Sequence, residues 1–398
     1  MKKKLMILGA SLLQLPAILK AKEMGIKVIA VDMDINAIGF KHADISLEIS
    51  TIDIPKVVEA AKKYEIDGIL TIASDMPMRT VAAVSEELNI VGITNETAIN
   101  VTNKASMRAV LKQRNVPVPI FFKVITLDEF NLAVNNFTSK FIVKPADNSG
   151  SRGVLLVEDI TNDKFINNAF EYSKKHSRSG EIILEEYMEG PEVSVETLSF
   201  DGKTHIIAVT DKMTTGAPKF VEMGHSIPSQ VSHENKLQIE RVALAAIKAV
   251  GINNGPSHTE IILTKEGPKV VELGARLGGD NITTHLVPLA TGIDMVEACI
   301  QIALGKNPAF DKSISMGSAI RYLNTPKGKI RTISGQQEAM IMNGVKEIYI
   351  NKTIGDTIQE INSSLDRVGY VVAHSNDTLN AIKTCEEAIE KIIIELEY

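Results

Sequence analysis

The sequence predicts an α/β protein that opens with a small parallel sheet, passes through a strand-dominated middle and closes with a β-rich unit. Three observations carry this expectation. Residues 1–100 alternate short apolar runs with helical periodicity, strand patterns dominate from 120 to about 200, and past about 310 the chain is mainly strand until a helix over about 377–396. The runs at 5–8, 26–31 and 68–72 are short and almost wholly apolar, as strands covered on both faces are. The helices between them supply the crossovers that parallel strands need.

The first element admits a rival reading. A basic start at residues 1–4 followed by Leu5-Met6-Ile7-Leu8 has the outline of a secretory leader. Gly9, Gln14, Pro16 and Lys20 break the apolar run, however. A strand at 4–8, a turn at 9–11 and an amphipathic helix to Met24 account for the same residues. The strand at 26–31 would also lose its partner if the segment were removed, so we read it as structure. No run approaches the ~20 apolar residues of a membrane span, and the expectation is a cytoplasmic protein with no membrane partner. Gly9 before a helix and Asp32 at the end of the second strand resemble a dinucleotide turn. Only the first glycine of G-x-G-x-x-G is present, so an α/β unit without that cofactor is expected.

A helix over 104–114 ends before Asn115-Val116-Pro117-Val118-Pro119, where the prolines force extended backbone and mark a linker. Helices are expected near 127–136, 161–175 and 234–249, and a strand pair at 256–263 and 268–275. The stretch from about 213 to 230 holds Gly216, Pro218, Gly224 and Pro228 with little periodicity, and reads as a long functional loop. The domains follow as an α/β unit over 1–100, a central region over 101–310 with a smaller lobe at about 120–190, and a β-rich unit with a closing helix over 311–398.

With 398 residues, the chain is long enough for two or three domains. A net charge of −6 opposes a surface built for nucleic-acid backbone, so no nucleic-acid partner is expected. Cys299 and Cys385 have neither metal nor redox spacing and are expected to be buried, inert thiols.

The sharpest chemical signal is a hairpin. If the turn 264–268 is centred on Glu266, Glu260 stands opposite Glu272, with Cβ atoms roughly 5 Å apart. Like charges so placed are destabilising unless a cation lies between them, and oxygen-only ligands suit magnesium, which takes one or two carboxylates and completes its shell with phosphate and water. Two solvated glutamates are the alternative. Upstream, Phe141-Ile142-Val143-Lys144-Pro145 leads into Asp147-Asn148-Ser149-Gly150-Ser151-Arg152-Gly153, small residues that let backbone N–H groups approach phosphate. An ordinary hairpin connection would look the same. Glu185-Glu186-Tyr187-Met188 joins two strands through Glu189-Gly190-Pro191-Glu192, where apolar edges can hold a purine and Glu192 a ribose. Lys104 and Lys212 are further phosphate candidates, though each alone reads more readily as a solvated lysine. Arg276, four residues past Glu272, can offset charge on a transferring phosphoryl group.

In this order the motifs resemble the ATP-grasp superfamily over nearly the whole chain. Asp211-Lys212, Gly224-His225-Ser226, His258-Thr259-Glu260 and Glu272-Leu273-Gly274-Ala275-Arg276 look most like its L-amino acid ligase and carnosine synthase branch. The resemblance implies an ATP-grasp fold between an N-terminal pre-ATP-grasp domain and a C-terminal β-rich domain. It implies an ADP-forming ligase joining a small-molecule carboxylate to an amine, with ATP and Mg2+ (or Mn2+) as cofactors, and a homodimer. Lys104 and Lys144 would hold the nucleotide phosphates under a mobile loop containing Ser149, Gly150, Ser151 and Gly153. Glu185, Tyr187 and Met188 would line the adenine site, with Glu192 on the ribose. Lys212 would approach the phosphates, Glu260 and Glu272 bind the metal, Arg276 hold an acyl phosphate, and His225 and Ser226 touch substrate. Many members have asparagine two residues past the second metal glutamate; Gly274 stands there, which leaves one metal ion supported and a second not. Within the same fold a carboxylating or carbamoyl-phosphate-forming enzyme is the alternative, and a nucleotide-binding regulatory protein a lesser one.

Overall fold

The computed structural model describes residues 2–148, 150 and 152–397. Its first sheet is four-stranded and wholly parallel, in the order β3-β2-β1-β4. These strands are β1 (Lys4–Leu8), β2 (Lys27–Asp32), β3 (Ile45–Glu48) and β4 (Gly68–Leu70). Residues 5–8 are fully buried, paired to β2 on one side and β4 on the other, as the reading of this segment as structure requires. β3 escaped notice because it is a half-exposed edge strand, without the continuous apolar run of its neighbours.

A second sheet, antiparallel and four-stranded in the order β5-β8-β6-β7, forms the small lobe. Its strands are β5 (Phe121–Val124), β6 (Phe141–Pro145), β7 (Leu155–Val157) and β8 (Ile182–Glu186). The helices Leu127–Val134 and Asp163–His176 cover one face, around a core that includes Phe130, Phe141 and Phe170. The opposite face looks towards an eight-stranded sheet in the order β13-β12-β9-β10-β11-β14-β18-β16. It comprises β9 (Glu192–Phe200), β10 (Lys203–Thr214), β11 (Glu222–Ile227), β12 (Gly255–Thr264), β13 (Gly267–Gly274), β14 (Gly317–Tyr322), β16 (Val345–Ile350) and β18 (Gly369–Ser375). The C-terminal strands therefore extend the central sheet, joined to it through the β11–β14 pairing. A three-stranded sheet of β17 (Thr357–Ile358), β15 (Gly328–Ser334) and β19 (Ile393–Glu397) completes the β-rich end.

Two expectations are corrected. Part of the loop expected over 213–230 is strand: β10 runs to Thr214 and β11 occupies Glu222–Ile227, leaving residues 215–221 between them. Gly224 is not punctuation. A Cβ there would lie 2.9 Å from both the Arg321 side chain and the Ile320 carbonyl, so glycine serves close strand approach. Likewise, the closing helix ends at Lys391, and residues 393–397 form β19. Their strict alternation, with Ile394 and Leu396 turned into a small core, is the period-two signature of a strand. Cys299 and Cys385 are buried as expected. Among the described residues no single helix is long and apolar enough to cross a membrane.

Candidate active site

A cavity of about 420 Å³ lies between the small lobe and the eight-stranded sheet. It collects Lys104, Lys144, Gly150, Glu185, Tyr187, Met188, Glu192, Lys212, Glu260 and Glu272 from segments far apart in sequence. A smaller cavity of about 200 Å³ adjoins it, sharing Gly150, Lys212, Glu222, Glu260 and Glu272, and adds His225, His258, Arg276 and Asp280. Ser149 and Ser151 lie outside the described residues, and Gly153 does not line either cavity.

The glutamate pair is opposed as expected, by a different route. The hairpin turn has two residues, Lys265 and Glu266, with Thr264 paired to Gly267 and Ile261 to Val270. In that register Glu260 would face Val271. A β-bulge between Glu260 and Ile261 absorbs Val271 and brings Glu272 opposite Glu260. Burial shows the same break in alternation, since Val270 and Leu273, three residues apart, both enter the core.

Each of the two carboxylates has a lysine beside it. The Lys104 Nζ lies 2.8 Å from Glu272 Oε1 and also donates to the Asn148 carbonyl. Lys104 is the first residue of the helix Lys104–Gln113, fixed there by the Asn103 cap. The Lys212 Nζ lies 3.0 Å from Glu260 and 2.5 Å from Glu192. Lys212 of β10 pairs in register with His225 of β11, so both point into the site. Burial works against both charged forms, but the surrounding glutamates, Glu260 foremost, raise the Lys212 ammonium above the ordinary lysine range. Burial likewise opposes ionisation of Glu260, and Lys212 and His258 outweigh it, holding that carboxyl well below the usual range. For Glu192 burial prevails: with the Glu260 charge it raises the carboxyl against the pull of Lys212.

The second cluster sits under the small lobe. Glu185 is buried between Lys144 Nζ at 2.5 Å and Arg108 Nε at 2.7 Å. Burial lowers the Lys144 pKa and the nearby Arg108 and Lys104 charges add to it, against Glu185. Glu185 therefore acts as the anchor of these cations as well as a wall of the cavity. Ile142, Val154, Tyr187, Met188, Phe220 and Ile262 give the cavity apolar lining, of the kind that takes a heteroaromatic ring.

The third cluster orders the polar cavity. His258 stands between Glu196, 2.8 Å from its Nδ1, and Glu260, 3.3 Å from its Nε2. Burial disfavours its charge, but Glu196 and Glu260 prevail and push the imidazolium up to about 9. Gly278 makes room for this pair, since a Cβ there would sit 2.8 Å from Glu196 Oε2 and His258 Nδ1. Arg276 Nε donates to Asp75 Oδ1 at 2.9 Å, which aims the guanidinium from the N-terminal unit. His225 is buried on β11 rather than in a loop, with its Nε2 3.4 Å from Asp280. Ser226, like Gly153, lines neither cavity. Its register partner is Asp211, which places it on the sheet face opposite Lys212 and His225, away from both cavities.

Arg108, Asp75, Glu196, His258 and Asp280 were not singled out as site residues in the sequence. Glu196 carried a usable signal, the one acid between Val193 and Leu198; the others depend on partners distant in the chain. The donor set fits a divalent cation. It offers two carboxylates on one face, oxygen-only, beside lysines able to release them to phosphate, and among the described residues no larger cage of His, Cys, Asp or Glu competes.

Comparison with known proteins agrees with this geometry. Residues 137–284 match the ATP-grasp domain family and residues 321–397 the L-amino acid ligase C-terminal domain 2. An uncharacterized protein of Sinorhizobium fredii is 28% identical over 334 residues, covering 83% of this chain and 68% of that one. The alanine–anticapsin ligase of Bacillus subtilis is 26% identical over 282 residues, covering 66% of this chain; the match spans 59% of that ligase's length. The crystal structure of an L-amino acid ligase from Bacillus licheniformis superposes with a TM-score of 0.86 at 22% identity, covering 100% of this chain and 99% of that one. The chain thus carries an ATP-grasp domain over residues 137–284, followed by an L-amino acid ligase C-terminal domain over 321–397.

Proposed function

We propose that the protein is an ATP-dependent carboxylate–amine ligase that joins amino acids or similar small acids with release of ADP. The observation that carries the reading is the junction of the two cavities. Glu260 and Glu272 stand opposed there between lysines on the nucleotide side and Arg276 on the other. The expected units, 1–100, 101–310 and 311–398, are the proposed domains, and the nucleotide lies between the small lobe and the large sheet. Its base lies against the apolar lining at Tyr187 and Met188, with Glu185 beneath and Glu192 on the ribose. Lys104, Lys144 and Lys212 meet the phosphates under the loop that includes Gly150.

Glu260 and Glu272 would hold magnesium, or manganese, which when bound neutralises phosphate charge. The lysines trade their carboxylate partners for phosphate oxygens without losing compensation, so little desolvation is left unopposed. A substrate carboxylate oxygen attacks the γ-phosphorus of ATP, breaking the bond to the β,γ-bridging oxygen and giving an acyl phosphate and ADP. The amine of the second substrate then attacks the acyl carbon, inorganic phosphate leaves, and the nitrogen gives up a proton. Arg276, oriented by Asp75, stabilises the acyl phosphate. His225 faces the same space and contacts substrate; Ser226 is withdrawn from that role. The compartment is proposed as cytoplasmic and the assembly as a homodimer, without nucleic-acid or membrane partners.

Screening amino-acid pairs for ADP release, with mass spectrometry of products, tests the reading. The expected result is ADP release that needs a carboxylate substrate and an amide product that needs the amine. Release stimulated by bicarbonate alone, without an amide, would replace it with a carboxylase.

A further inference from the structure

Beside the polar cavity lies a chamber of about 670 Å³ that the chemistry above does not use. The two share Gly279, Asp280 and Ser364 in their walls, so a molecule whose reacting end sits near Arg276 can extend past Asp280 into the chamber. One wall comes from the start of the N-terminal helix Leu15–Glu23 and the turn before it. It presents Leu12, Leu13 and Leu19, which are 59%, 56% and 44% exposed. Another wall is aromatic, with Tyr370 edge-on to Tyr322 and tilted against Tyr349 at centroid distances of 5.8 and 5.4 Å.

The charges in these walls are already spent. Arg367 donates to both oxygens of Asp280 at 2.7 Å, and its guanidinium lies 3.7 Å from the Tyr322 ring centroid. Two further N–H groups of Arg367 go to the Ser364 and Glu222 carbonyls. Glu347 is engaged by His285 at 3.0 Å and by the Tyr370 hydroxyl at 2.8 Å. A lysine, arginine or glutamate side chain entering the chamber would give up hydration and find each wall charge facing a partner of its own. An apolar side chain would instead cover leucines now facing solvent, against tyrosine faces that suit aliphatic and aromatic groups alike.

We infer that one of the two joined amino acids carries a large uncharged aliphatic or aromatic side chain, held between Leu12, Leu13 and Leu19 and the Tyr322–Tyr370–Tyr349 cluster. This rests on the ligase reading. Leucine, methionine and phenylalanine are the probes for the proposed class, and glycine, alanine, lysine and glutamate the comparison set, each offered with one common amine partner. The expected kcat/KM for the bulky apolar set is at least 10-fold above that of the comparison set. Leu13→Glu, on an exposed side chain, raises the KM for phenylalanine at least 10-fold and leaves the KM for ATP unchanged. Leu12→Ser moves it in the same direction, with an unchanged melting temperature confirming the fold. Equal use of charged or small amino acids, with both variants within 2-fold of the parent, overturns this inference while the ligase reading stands. No ADP release with any amino acid overturns both.

Discussion

Glu260 and Glu272 oppose one another across the last hairpin of the large sheet because Val271 is an extra residue in β13. The two-residue turn at Lys265 and Glu266 sets a pairing one step short of that opposition, and the bulge adds the step. Two acids this close need a cation between them or beside them, and Lys104 and Lys212 stand beside them. We expect Glu272→Gln to lose magnesium-dependent ADP release by on the order of 100-fold or more, with an unchanged melting temperature. Release at the parent rate with the right substrates would remove Glu272 from the metal.

Arg108 ties the bulge to the nucleotide lobe. It is fully buried; one nitrogen donates to Glu185 Oε1, and another donates to the carbonyl of Val271 itself. Removing the guanidinium strands Glu185 on Lys144 alone and frees the bulge carbonyl of its donor. Arg108→Met should cost roughly 3 kcal/mol in urea unfolding, typical for breaking a buried pair, and raise the KM for ATP. A variant with the parent's midpoint would show the contact to be incidental.

Much of the architecture was legible because burial leaves a pattern in sequence. The strand runs at 5–8, 26–31 and 68–72 are almost wholly apolar, and all but Lys27 of their residues are buried. Features that failed did so for local reasons. Gly224 resembles a turn residue yet makes room for Arg321, and residues 393–397 continue a helical stretch until their alternation is heeded. At the site, charged residues set in local motifs stood out, such as Lys144 before Pro145 and Arg276 four residues past Glu272. Arg108 and Asp75 did not, because their meaning lies in partners 77 and 201 residues away. The glutamate opposition was reached from a turn centred one half-step off, corrected in the molecule by a bulge with no glycine to announce it.

Asp75 is the contribution of the N-terminal unit to Arg276. Burial disfavours the guanidinium charge, yet Asp75, followed by Glu272 and Glu260, holds its pKa above even the ordinary arginine range. Its role is orientation, because the planar fork must meet oxyanions at a fixed angle. Asp75→Ala should lower kcat about 10-fold, within the range for lost positioning, and leave the KM for ATP unchanged. Arg276→Lys should lose more, since the charge remains but the fork does not. Stopped-assay kinetics on both variants separate the effects, and a rise in the KM for ATP alone would place Arg276 on the nucleotide instead.

The Asp280–Arg367 pair gives the fold a defined response to acid. Burial works to raise the Asp280 carboxyl, but the Arg367 and His225 contacts outweigh it and hold the group well below the usual carboxylate range. A carboxyl depressed in the folded state stabilises above its unfolded pKa of about 3.9, and the contribution fades as pH falls below that value. Asp280→Asn keeps the shape and removes the charge, leaving Arg367 uncompensated. At neutral pH the variant should be less stable by roughly 3 kcal/mol. The gap should hold from about pH 8 to 5 and narrow below about 4, as the parent loses what the variant never had. Thermal melts of both proteins across that range read it directly. A gap that stays constant down to pH 3 would mean that the Asp280 carboxyl titrates alike in the folded and unfolded chain, and that Arg367 does not hold it ionised.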